Sequence, residues 1–133
     1  MTDQEARDFL TRVFAALCDP AVSAEALAAF FAPDYVQRAD GKELDRAAFI
    51  DHARILKATL RSASITLEKV VASGATVATR HLVHAQKKSG EELRFEVHAF
   101  FEIENGLIKR TVELTHIVQG EPEDRDLGSR ISV

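Results

Sequence analysis

The chain has 133 residues, 46% of them apolar and 29% charged, and a net charge of −4 at pH 7, which suits one domain around a single core. The slight acidic excess offers no electrostatic attraction to nucleic acid, no stretch is apolar for long enough to span a bilayer, and the polar start Met1-Thr2-Asp3-Gln4-Glu5 reads as neither a secretory signal nor a transit peptide. A single cysteine, Cys18, rules out an internal disulfide and fits a reducing compartment, so the expected setting is the cytoplasm, with no membrane and no nucleic acid as partner.

Thr2 and Glu5 make a capping-box pair, and Ala6, Phe9, Leu10, Val13, Phe14 and Leu17 repeat on one stripe. The first element is therefore an amphipathic helix, which Asp19-Pro20 ends with Cys18 as a packed thiol at its close. Ser23 caps a short second helix through Leu27, Phe30 and Phe31, and Pro33 stops it because the residue before a proline is pushed out of the α region. Tyr35 to Arg38 is extended and Asp40-Gly41 turns the chain. Asp45 caps a third helix with Phe49, Ala53, Leu56 and Leu60 on its apolar stripe and His52 at the margin.

From Ser62 the period becomes two-fold, predicting strands near 62–71, 75–87, 93–103 and 108–118. Short turns at Ala72-Ser73-Gly74, Lys88-Ser89-Gly90 and Asn105-Gly106 join them, the last being a strong hairpin signal because Asn-Gly tolerates the positive φ of a type I′ turn. Such turns join antiparallel neighbours. Helices followed by a meander make an α+β fold, three helices lying in the concave side of a curved, mainly antiparallel sheet. Residues 1–120 form the domain, and residues 121–133 read as a charged, peripheral tail.

Alternation assigns the faces of the strands. Val77, Thr79, His81, Val83 and Ala85 form the more apolar face of one strand, so His81 points inward; Phe95, Val97, Ala99, Phe101 and Ile103 form the inner face of the next, leaving His98 and Phe100 outside. The last strand supports two readings. Unbroken alternation puts Ile108, Val112, Leu114 and His116 inside and makes Glu113 part of an outer charge cluster with Arg80 and His98. A β-bulge after Ile108 reverses this, bringing Glu113 in and sending His116 out. No His, Cys, Asp or Glu spacing suggests a metal, and without a phosphate loop or nucleophile elbow there is no case for a nucleotide site or a serine hydrolase.

The order of parts, with Phe30-Phe31-Ala32-Pro33-Asp34-Tyr35-Val36-Gln37 after the second helix and Phe101-Glu102-Ile103-Glu104-Asn105-Gly106-Leu107-Ile108 in the last hairpin, resembles the SnoaL-like branch of the nuclear-transport-factor-2-like superfamily over nearly the whole chain. The resemblance implies a cone-shaped barrel with a pocket at its open end, commonly a homodimer joined through the sheet, to which the outward Phe100 would contribute. Aligned on Gly106 and Ile108, Glu113 falls where relatives carry an active-site carboxylate. It implies cofactor-independent acid/base chemistry on a small apolar molecule, of isomerase, cyclase, dehydratase or hydrolase type, with Glu113 as base and His81 as its partner. Tyr35, Arg38, His52, Val97, Ala99, Phe101 and His116 are the candidate substrate contacts, and Phe14, Phe30, Phe49 and Leu56 further lining. Ala39 and Ala99 stand where ketosteroid isomerases need carboxyl groups, and His81 and Val83 where limonene-epoxide hydrolases pair Arg with Asp, so neither reaction is expected. A non-catalytic ligand-binding or protein-interaction module is the alternative.

Overall fold

The structure, a computed structural model, describes residues 1–121; the sequence-based tail, but for Glu121, lies outside the described residues. Helix α1 spans Asp3–Cys18, α2 Ala24–Leu27 with one 3-10 turn after it at Ala28–Phe30, and α3 Arg46–Thr59. Strands β1 to β6 span Phe31–Ala39, Lys42–Asp45, Leu60–Ser73, Thr76–Lys87, Glu92–Glu104 and Leu107–Gln119. They form one curved sheet in the order β2-β1-β6-β5-β4-β3. All neighbours are antiparallel except β1 and β6, which run parallel. The sheet does not close: β2 and β3 are its free edges, so the expected barrel is an open, mixed sheet with the helices in its concavity.

Local chemistry explains the elements. The Glu5 backbone N–H donates to Thr2 Oγ1 at 3.0 Å and the Thr2 N–H to Glu5 Oε1 at 2.8 Å, closing the capping box of α1. This helix buries Ala6, Phe9, Leu10 and Val13 against the sheet. Its last turn carries no basic residue; α3 supplies one, as Lys57 Nζ donates to the carbonyls of Ala16 at 2.8 Å and Asp19 at 2.7 Å. The Asp45 carboxylate accepts from the Ala48 N–H at 2.9 Å and starts α3.

Two expectations need correction. The second helix stops at Leu27 rather than reaching Phe31, which already opens β1 opposite Ile108. Burial of Phe31 and Tyr35 by pairing with β6 outweighs local helix propensity. Pro33 thus sits inside a strand, in the irregular stretch between the Phe31–Ile108 and Val36–Arg110 pairs, where its missing N–H breaks no ladder bond. The meander is correct but incomplete: Tyr35 to Arg38 belongs to a hairpin of β1 and β2, turned through Asp40 and Gly41 at φ 51° and 85°, which extends the four strands to six.

The β5–β6 pairing fixes the faces of the final strand. Ile103 pairs with Ile108, but Glu102 pairs with Arg110, leaving Lys109 as an extra residue. This bulge inverts the alternation beyond it. Ile108 and Thr111 are buried, while Leu114 and His116 are exposed.

Candidate functional site

A cavity of about 150 Å³ opens between the helices and the concave face of the sheet. Its wall is mostly hydrocarbon, supplied by residues such as Val13, Phe14, Leu27, Phe49, Val97 and Phe101. Its exposed lining residues, Pro20, Arg61 and Ser62, mark the mouth, and the fully buried Leu27, Tyr35, Ile108 and Thr111 mark the base. A void of this size accommodates a molecule of about one ring.

Because of the Lys109 bulge, Thr111, Glu113 and Thr115 all line the cavity from β6. Glu113 pairs with Ala99, which pairs with Thr79; Thr115, Val97 and His81 form the next row. Strand spacing puts the backbones of β4 and β6 about 10 Å apart, and the small Ala99 between them leaves the concave surface open. Glu113 and His81 therefore face one hollow from either side of β5.

The surroundings set the charges. Loss of water pushes the Glu113 carboxyl up to about 7, and the negative charge of Asp40 adds to the effect. Burial pulls His81 down to about 4, with a smaller contribution from His98 behind the sheet, so His81 is neutral near pH 7. Its Nδ1 lies 2.9 Å from the Thr79 hydroxyl, and its ring stacks at a tilt on Phe14, 5.0 Å between centroids. At the base, the Tyr35 hydroxyl donates to Thr111 Oγ1 at 2.8 Å and has Gln37 Oε1 at 3.2 Å. Burial raises the Tyr35 phenol well above its ordinary value, keeping it a neutral donor.

Of the sequence-derived candidates, Glu113, His81, Tyr35, His52, Val97 and Phe101 line the cavity together. Ala99 is buried on the same face without lining it. Two are misplaced. Arg38 lies on the exposed face of β1, between the buried Gln37 and Ala39, because alternation from the inward Tyr35 turns it away. His116 is exposed on the outer face, opposite Glu96, since the bulge that admits Glu113 expels it. Phe30 packs on Phe9, 6.1 Å between rings, instead of lining the cavity. The outer charge cluster forms with a different acid: Arg80 Nε donates to Glu96 Oε1 at 2.5 Å, with His98 Nε2 3.1 Å from the same oxygen.

Gln37, Thr111 and Thr115 also line the cavity, and the Thr79 hydroxyl holds His81. Once β1 is recognised as a strand, Gln37 is found by its spacing from Tyr35, and Thr111 by the same bulge as Glu113. Among the described residues, no group of three or more His, Cys, Asp or Glu is placed to hold a metal, and no helix is long and apolar enough to cross a membrane.

Residues 7–111 match the SnoaL-like domain family. An uncharacterised protein of Schizosaccharomyces pombe is 38% identical over 126 residues, covering 95% of this chain and 97% of its own. Among solved structures, an LEH-like epoxide hydrolase of M. tuberculosis aligns with a TM-score of 0.68 at 16% identity, over 92% of this chain and 90% of that one. A hypothetical protein of Catenulispora acidiphila with a ketosteroid isomerase-like fold, in complex with trimethylamine, aligns with a TM-score of 0.70 at 14% identity, over 91% of each chain.

Proposed function

The chain belongs to the SnoaL-like family of the nuclear-transport-factor-2-like superfamily, and on that premise we propose that its cavity binds a small apolar molecule bearing a carbonyl, enol or hydroxyl group, with which Glu113 exchanges a proton. The observation that carries the reading is a carboxyl pushed up to about 7 at the wall of a mostly apolar hollow that also presents the His81 imidazole. A carboxylate of that basicity takes a proton from carbon or oxygen near neutral pH and, once protonated, returns it. His81, neutral and held by Thr79, serves as the second polar contact, aligning a substrate oxygen or a water. His52 and the Tyr35 phenol supply further contacts to the ligand, and Val97 and Phe101 its apolar surround. No cofactor takes part. Fold likeness leaves the reaction class open, so epoxide chemistry in a neighbour is not carried over.

The same reading includes assembly and setting: a homodimer through the outer face of the sheet, where Phe100 and Leu114 are 60% and 67% exposed, in the cytoplasm.

The direct test is deuterium uptake at the α-carbon of cyclohexanone in D₂O, since removing that proton is the elementary step proposed. The native chain should accelerate uptake, and Glu113→Gln should abolish most of the gain, about 100-fold or more. Binding of cyclohexanone without accelerated exchange would favour the non-catalytic ligand-binding module.

A further inference from the structure

The turn between β1 and β2 does more than reverse the chain. Asp40, its first left-handed residue at φ 51°, reaches β6 with both backbone and side chain. Its N–H donates to the Glu113 carbonyl at 3.0 Å, and its Oδ1 accepts from the Thr115 N–H at 2.8 Å. The two bonds fasten β6 directly after the Glu113 Cα, at its own carbonyl and at the Thr115 N–H on the far side of Leu114, and the Glu113 side chain enters the cavity immediately before them. We propose that Asp40 is a positioning residue for Glu113, anchoring β6 at the Glu113 carbonyl and again at the Thr115 amide, and placing a fixed negative charge beside the Glu113 carboxyl. The inference rests on the reading of Glu113 as the proton-exchanging group.

The physical content lies in the double role of one carboxylate. An exposed aspartate is unnecessary for a type I′ turn, where Asn-Gly does as well. It differs from asparagine in its charge and in a second oxygen where the amide carries an NH₂, and the direction of that charge's effect on Glu113 is upward. The other charged or titratable groups facing the cavity lie elsewhere on its wall: Tyr35 on β1, His81 on β4, His52 and Lys57 on α3, Arg61 on β3 and Cys18 on α1. β5 presents Ala99 to Glu113, and the β2 residues paired with the end of β1 are Lys42 and Glu43. Of these groups, Asp40 alone among the described residues contributes to raising Glu113 beyond the loss of water.

Two variants separate anchor from charge. Asp40→Asn keeps an oxygen acceptor for Thr115 and suits a positive φ, so it removes the charge while preserving that bond. Asp40→Gly also suits that φ and removes both charge and acceptor. The side-chain carboxyl carbon of Glu113 is followed by NMR against pH in each, with hydrogen exchange at the Thr115 amide. Asp40→Asn should shift the Glu113 midpoint to lower pH and leave Thr115 exchange unchanged. Asp40→Gly should shift the midpoint and speed Thr115 exchange roughly fivefold or more. A Glu113 midpoint that is raised in the native chain but unmoved by Asp40→Asn, or Thr115 exchange unmoved by Asp40→Gly, overturns this inference and leaves the proposed function standing. A native Glu113 that titrates as an ordinary exposed carboxyl overturns both.

Discussion

Glu113 and His81 share a cavity and a cause, yet that cause drives them in opposite directions. Loss of water disfavours whichever form is charged, so it raises the acid to about 7 and lowers the imidazole to about 4. Both shifts are stability statements. Glu113 holds its proton more tightly folded than unfolded, so its contribution is complete below pH 4.5, its ordinary value, and is lost as pH rises toward 7. His81 holds its proton less tightly folded, so its contribution is complete above pH 6.5 and is lost as pH falls toward 4. Each ramp amounts to at most about 3 kcal/mol, and between pH 4.5 and 6.5 they oppose each other. Urea titrations at a series of pH values should therefore show Glu113→Gln gaining stability over the native chain from pH 5 to 8. The residual slope of that variant between pH 4 and 6.5 should be upward, and His81→Gln should remove it. A native-to-variant difference for Glu113→Gln that is flat across this range would contradict the environment assigned to the acid.

At the scale of elements, legibility followed the length and regularity of the pattern. Helices α1 and α3 and the strands β3 to β6 were readable because caps, stripes and Asn105-Gly106 all agreed. The inner faces of β4 and β5 were equally plain, since Leu93, Phe95, Val97, Ala99 and Phe101 alternate without a break and all are buried. β6 was not, because one unpaired residue, Lys109, decides the facing of residues 110–117 and carries no signature of its own. β1 was partly hidden by Pro33, a helix stop by local rule that the structure places in an unpaired stretch of strand. Contacts between elements were invisible for a related reason: they join residues far apart in sequence. Lys57 is the clearest case, an α3 side chain that satisfies carbonyls at the end of α1. Lys57→Met keeps the aliphatic stem and removes both charge-assisted bonds. Thermal unfolding of this variant should show a loss of about 1–3 kcal/mol, and an unchanged midpoint would mean that water replaces the ammonium at no cost.

For the molecule as a whole, the sheet presents two unlike faces. Its concave face is covered by the helices, and the order of parts was enough to foresee that. Its outer face is not covered by any described residue, and it carries large apolar groups on adjacent strands: Phe100 pairs with Val112 on β6, and Leu114 follows two residues along the same face, with Val118 59% exposed beyond them. Scattered exposed hydrophobic residues are ordinary, but a contiguous set on one face favours association. The Arg80, Glu96 and His98 group beside it would supply the polar border of such an interface. A pair of copies would leave both cavities intact, because the cavity wall and the contact face point to opposite sides of the sheet. Light scattering at micromolar concentration should give about twice the 14.7 kDa chain mass. Leu114→Glu, which places a charge in the middle of the apolar set, should halve that mass while leaving the NMR midpoint of Glu113 where it was. A native chain that scatters as a monomer would end the dimer. A Leu114→Glu monomer with a shifted Glu113 would instead mean that the two faces are coupled through β6, against the separation argued from their geometry.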